Sequence, residues 1–231
     1  MVSSSAFQLF GSYAALGDDI PPFRDLGRDE GFKLFGCGRG GIDTGLDKAS
    51  EAETLAFCEK LFAEETLRYY AEQYNMRVRI ARFHNIYGPW GTWKGGREKA
   101  PAAFCRKILA AEKEFEMWGD GKQTRDYVFV GDVVDLYLRI GENLARNANS
   151  LRGRVYNAGT NQPRAVRDVL ETVFRLTCRQ ADFNAVLEMM KGRETVGEIE
   201  CQYMDYELVN RDFGWAPQHS FDSGVALTIE R

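Results

Sequence analysis

The feature that most constrains this chain is the alternation of short, β-branched apolar runs with longer stretches of helical periodicity. VRIARF, Val78–Phe83, is short and apolar enough for a strand buried on both faces of a parallel sheet. Before it, Leu55, Cys58, Leu61, Phe62, Tyr69 and Tyr70 recur at helical spacing up to about Asn75, behind Ser50-Glu-Ala-Glu53 with the spacing of a capping box. DYVFV, Asp126–Val130, reads as a second strand, with Asp132 as N-cap of a helix through Val133, Tyr137 and Ile140. VYNAG, Val155–Gly159, ends a third strand in a Gly turn, and Val166, Val169, Leu170, Val173, Phe174 and Thr177 then line one helix face. Strands alternating with helices predict an α/β fold with a mainly parallel sheet. No repeat or linker divides the chain, so residues 1–231 are expected to form a single domain.

Composition narrows the function classes. Hydrophobic residues make up 44% and aromatics 13% of the 231 residues, as in a folded globular protein. A formal net charge of −4 leaves no basic excess for phosphate backbones, so no nucleic-acid partner is expected. No apolar run is long enough for a bilayer, and MVSSSAFQLF has neither a basic start nor a long apolar stretch. No membrane partner and a cytoplasmic location are therefore expected. The five cysteines (Cys37, Cys58, Cys105, Cys178, Cys201) lack metal-type spacing, and the only histidines are His84 and His219. Reduced thiols and no metal site are the expectation.

One segment asks for a function. HNIYGPWGTWKGGREKAP, His84–Pro101, holds four Gly, two Trp and three basic residues directly after a strand. In parallel sheets ligands sit beyond the carboxyl ends of the strands, where this loop lies. Asn85 offers an amide, Arg97 and Lys99 offer cations, and the glycines let backbone N–H groups approach an anion, which suits a phosphorylated sugar. A solvated surface loop with Trp90 and Trp93 tucked onto the body is the competing interpretation. Pro101 suits the first turn of the next helix, through Phe104, Ile108 and Leu109.

RFHNIYGPWGTWKGGREKAPAAFCRK (Arg82–Lys107), FEMWGDGKQTRDYVF (Phe115–Phe129), YNAGT (Tyr156–Thr160) and FGWAP (Phe213–Pro217) together resemble the GDP-mannose 3,5-epimerase family. These are extended short-chain dehydrogenases/reductases of the NAD-dependent epimerase/dehydratase type, associated with ascorbate synthesis. The resemblance implies a Rossmann-like fold, NAD as cofactor and GDP-mannose or a related nucleotide sugar as substrate, with a possible homodimer. Its implied chemistry is oxidation of a sugar hydroxyl, inversion at the acidified C3 and C5, and re-reduction. It makes Lys99 a catalytic acid/base candidate, Lys60 the helix lysine that serves catalysis and cofactor, and Ser4 and Ser5 cofactor-strand residues. Asn85 and Arg125 fall at diphosphate- and nucleotide-side positions, Arg97 lies in the same loop, and Glu64 repeats an acidic residue four places after the lysine.

The departures are as informative. Ala56 stands where the resemblance implies the catalytic Tyr, Phe57 beside it has no hydroxyl, and Tyr69 and Tyr70 are turns away. Phe7 replaces the acid/base Cys, and Glu200 and Gln202 stand where diphosphate-binding Arg residues are implied, with Arg193 the nearest base. By the resemblance the front βαβ unit that binds NAD pyrophosphate is expected to be missing, which would make the sheet incomplete and leave an edge for a partner to cover. Residues 1–90 are then a remnant of the dinucleotide-fold half, with a Gly-rich insertion near 27–49, and 91–231 are mainly a small C-terminal sugar-nucleotide-binding part. A G-x-G-x-x-G run, Gly36–Gly41, follows FKLF but leads into no apolar helix pattern. Three functions follow as expectations: an epimerase impaired on its own, a sugar-nucleotide-binding or regulatory subunit that pairs with a complete epimerase, or a fragment of a longer epimerase. The aromatics of the long helix are expected in the core or at a subunit interface, His84 as a packed or hydrogen-bonded residue beside the loop and His219 at the surface.

Overall fold

The computed structural model describes residues 62–74, 78–95, 98–110, 119–146, 154–179, 182–183, 186 and 200–230, and 34–35 and 51–61 as backbone. Ser4, Ser5, Phe7, the Gly36–Gly41 run, Ser50, Arg97 and Arg193 lie outside them. In chain order the described elements are β1 (Leu34–Phe35), α1 (Glu51–Gln73), β2 (Ile80–Phe83), β3 (Asn85–Tyr87), α2 (Ala100–Leu109), β4 (Thr124–Arg125), β5 (Tyr127–Phe129) and α3 (Val130–Arg146). They continue with β6 (Val155–Ala158), β7 (Arg164–Ala165), α4 (Val166–Leu176), β8 (Cys201–Met204), α5 (Glu207–Phe213) and α6 (Phe221–Ile229). The α/β class and parallel pairing expected from the alternation are present.

Three sheets share the strands. β2 pairs β6 in parallel, Ile80 opposite Val155 through Phe83 opposite Ala158, and β3 pairs β5 in parallel with Asn85 opposite Tyr127. The third sheet has the order β1-β8-β4-β7; β4 runs parallel to β8, and the outer pairings β1–β8 and β4–β7 are antiparallel. Strand alternation splits β2 between two cores. Ile80 faces Ala71, Val78, Leu67 and Val155 under α1, whereas Ala81 and Phe83 join Val128, Val133, Leu136, Tyr156 and Trp215. A further core collects Phe104, Ile108, Tyr127, Phe129, Leu170, Phe174 and Phe221 between α2, α4 and α6.

Several local expectations change. α3 begins at Val130, so Asp132 lies inside its first turn, and its carboxylate is used across the fold instead of as a cap. It is 2% exposed, accepts the His219 N–H at 3.2 Å and lies 2.8 Å from His219 Nδ1. The Asp132 carbonyl meanwhile accepts from Trp215 Nε1 at 2.9 Å. FGWAP is therefore a strap: Gly214 ends α5 in the left-handed conformation at φ 62°, Trp215 drops into the core, and His219, at the surface as expected, is held there by Asp132. Phe62, Tyr69 and Tyr70 on α1 and Tyr74 just after it are exposed, against the core half of that expectation. Cys105 and Cys178 are free thiols, but Cys201 is disulfide-bonded, contrary to an all-reduced set. Among the described residues no helix is long and apolar enough to cross a membrane.

Candidate functional site

The chain leaves β2 at Phe83 and re-enters a different sheet at Asn85, so a single residue, His84, bridges the two. The expected loop is thus shorter than its sequence suggests, because Asn85–Tyr87 is itself a strand. Asp126 is the matching junction between β4 and β5. Its carbonyl accepts the Asn85 N–H at 3.3 Å and lies 3.1 Å from His84 Nδ1. Asn85 Nδ2 is 3.0 Å from the same ring nitrogen. Nδ1 cannot both donate to the carbonyl and accept from the amide, so the imidazole tautomer selects one of the two. Burial pushes the His84 pKa down, opposed by the nearby Asp126 charge and by a hydrogen bond to the Gln202 side chain. The ring is accordingly a neutral hydrogen-bonding group at pH 7.

The Asp126 carboxylate holds the junction from beneath. It is fully buried and accepts from the Thr160 N–H at 2.8 Å, the Thr160 hydroxyl and the Met204 N–H at 3.3 Å. One side chain thereby ties the end of β6, the end of β8 and the β4–β5 joint. Gly159 makes this possible, since a Cβ there would collide with Met204 O and Asp126 Oδ2. Residue pattern alone had marked YNAGT and RDYVF separately; that they are two halves of one hydrogen-bonded junction was not legible from either.

Arg125 lies on β4, register-paired with Gln202 of β8 on one side and Arg164 of β7 on the other, and it donates from Nη1 to Thr124 O at 2.8 Å. Asn85 and Arg125 thus fall on either side of the Asp126 joint, at the carboxyl end of β2, with His84 and Gln202 between them. Gln202, which stands where the resemblance implies an Arg, belongs to this cluster, and His84 is the packed, hydrogen-bonded residue expected beside the loop. Arg164 was not singled out at all, because a lone Arg at a turn carries no sequence signal until strand pairing supplies its neighbour.

Lys99 is half-buried at the N-cap of α2, with φ −77° and ψ 157°, and its carbonyl accepts the Ala103 N–H at 2.9 Å. Pro101 occupies the first turn as expected. Ahead of it the Gly88–Gly95 stretch carries Trp90 and Trp93, 87% and 55% exposed, with Lys94 Nζ 4.8 Å above the Trp93 ring. The tryptophans are therefore presented to solvent and not tucked onto the body. Gly88, at φ 146°, lets the loop pass tight against Val130.

On α1, Ala56, Lys60 and Glu64 share one helical stripe at four-residue spacing. Glu64 is 1% exposed and forms a forked pair with Arg82 of β2, Oε1 to Nε at 2.7 Å and Oε2 to Nη2 at 2.6 Å. That pair ties α1 to β2 at Glu64. Burial pushes the Cys105 thiol up to about 12 and raises the Tyr87 and Tyr156 hydroxyls above the ordinary phenol range, so none of the three is a ready base or nucleophile.

The described residues do not fit a dinucleotide cradle. The strand entering the Gly36–Gly41 run, β1, is an antiparallel edge strand on β8, whereas a pyrophosphate turn needs a parallel strand leading into a helix N-terminus. The run itself lies outside the described residues. Ala56 stands at the position where the resemblance implies the hydroxyl.

Comparison with known proteins accords with this geometry. Residues 57–159 match the NAD dependent epimerase/dehydratase family. The chain is 36% identical over 172 residues to GDP-mannose 3,5-epimerase 1 of Oryza sativa subsp. indica, covering 74% of this chain and 41% of that protein. It is 37% identical, over the same length and coverage, to GDP-mannose 3,5-epimerase of Arabidopsis thaliana. The chain thus spans about two fifths of the length of these relatives. Among solved structures, the UDP-glucose 4-epimerase of Thermotoga maritima with UDP-glucose superposes with a TM-score of 0.61 at 26% identity, covering 76% of this chain and 52% of that one. Across residues 57–159 this chain is a member of the NAD dependent epimerase/dehydratase family.

Proposed function

We propose that this chain binds a GDP-linked hexose of the GDP-mannose type and, by itself, does not epimerise it. The observation that carries the binding half is the cluster at the β2–β3 and β4–β5 junctions, where Asn85, Gln202, neutral His84 and Arg125 surround one buried carboxylate hub. Amides and a neutral imidazole suit sugar hydroxyls, which need both donors and acceptors, and a guanidinium suits a phosphoryl group. Identity of 36–37% with two GDP-mannose 3,5-epimerases supports guanosine and mannose over other nucleotide sugars. In this reading Lys99 and Arg97 reach the ligand from the glycine-rich loop, and Lys60 is retained without its hydroxyl partner.

Ala56 favours a binding or regulatory subunit over an impaired catalyst acting alone, because a methyl group cannot take the proton whose removal begins oxidation. NAD names the family; what this chain's own residues offer is to bind and orient the sugar nucleotide. Calorimetric titration with GDP-mannose is the test. The expected result is micromolar binding that Lys99→Ala weakens about tenfold, as loss of one charge-assisted hydrogen bond would. Absence of binding by the folded chain would overturn the proposal.

A further inference from the structure

The register of the mixed sheet sets a row of three polar residues: Gln202 on β8, Arg125 on β4 and Arg164 on β7 are direct neighbours across the strands. Residues opposite one another project from the same sheet face, and like charges placed so are unfavourable unless something negative lies between them. Here the two guanidiniums diverge. Arg164 lies 4.9 Å over the ring of Phe221, while Arg125 turns back to the Thr124 carbonyl. A guanidinium held against an aromatic ring can still donate through its N–H groups to an acceptor. Among the described residues Arg164 makes no ion pair, although Tyr87 lies within its electrostatic reach. Asp126, the residue after Arg125 at the junction of β4 and β5, accepts from Thr160 and Met204.

We infer that Arg164 is a phosphate-binding residue that clasps the diphosphate of a nucleotide sugar jointly with Arg125, with the Gln202 amide completing the row. Two guanidinium forks on adjacent strands match two linked phosphoryl groups, each fork taking the oxygens of one. Positive charge that might have come from β8, where Gln202 stands, comes in this chain from β7. The inference rests on the nucleotide-sugar reading for the identity of the ligand, and on the strand register alone for the pairing of the two arginines.

The experiment is a calorimetric titration of wild type, Arg164→Gln and Arg164→Lys with GDP-mannose and with inorganic pyrophosphate, at two salt concentrations. Far-ultraviolet dichroism would establish that each variant is folded. Arg164→Gln is expected to weaken both ligands at least tenfold and to lower the salt dependence of binding. Arg164→Lys, which keeps the charge but loses the fork, is expected to fall between. Wild-type binding of GDP-mannose that is unchanged in Arg164→Gln, or in Arg164→Lys where the glutamine variant does not fold, would overturn the inference and leave the proposed function standing. Binding of GDP-mannose that pyrophosphate does not compete would do the same. Failure of wild type to bind either ligand would overturn both.

Discussion

Replacing Asp126 tests whether one buried carboxylate holds the junction on which the candidate site is built. Its Oδ2 accepts two backbone N–H groups, from Thr160 and Met204, and its other oxygen takes the Thr160 hydroxyl. Asp126→Ala leaves both N–H groups buried without an acceptor, and each orphaned donor costs about 1–3 kcal/mol, so the expected loss is roughly 2–6 kcal/mol. Asp126→Asn is different in kind. An amide oxygen can still accept both N–H groups, and the Thr160 hydroxyl can rotate to accept from the amide nitrogen. Only the charge assistance disappears, for a loss of about 1–2 kcal/mol. For a chain of this size that separates the two variants by on the order of 10 °C in Tm. Urea denaturation with unchanged slope, read as a shift in midpoint, gives the same comparison near room temperature. Equal losses in the two variants, or a loss below about 1 kcal/mol for alanine, would refute the hub argument.

Two further outcomes are expected. Glu64→Gln unbalances a buried pair and should cost about 3–5 kcal/mol, whereas Glu64→Leu combined with Arg82→Met should cost clearly less; a double variant as unstable as the single one would contradict this assignment. Burial holds the His84 pKa below its unfolded value near 6.5, so the unfolded chain binds the extra proton first, and this contribution to stability is full at pH 7.5 and declines as pH falls through 6 toward 5. His84→Gln should flatten that decline in a urea-midpoint series, and an unchanged profile would show that the ring does not control it.

The parts of the fold legible in sequence were those where one periodicity dominates. The stripe Val166, Val169, Leu170, Val173 does bury as a face of α4, and VYNAG does form β6 with its turn at Gly159. VRIARF is a strand, yet alternation gives its two faces different cores, so its continuous apolar character marks burial without revealing the division. Long-range partners were not legible. Asp132 at the start of a helix carries the local signature of a cap, but the tertiary pull of His219 and Trp215 overrides it. The exposed Tyr69, Tyr70 and Tyr74 satisfy a helical core pattern and instead cluster with each other at ring distances of 5.2–6.4 Å. For the site, Asn85, Arg125 and Lys99 were accessible through resemblance, whereas Arg164 and the Asp126 hub exist as functional candidates only once β4 finds β7 and β8. Arg97, Ser4 and Ser5 lie beyond the described residues, and the Lys60 side chain with them, so they remain proposals resting on resemblance.

The central claim is that the ligand-holding half of a nucleotide-sugar site is present while the oxidising half lacks its proton acceptor at Ala56. The most direct test is incubation of the purified chain with GDP-mannose and NAD in D₂O, followed by mass and proton resonance analysis of the sugar. The account predicts saturable binding of GDP-mannose with no deuterium at C3 or C5. NAD-dependent deuterium uptake at either carbon, abolished by Lys60→Met, would contradict it.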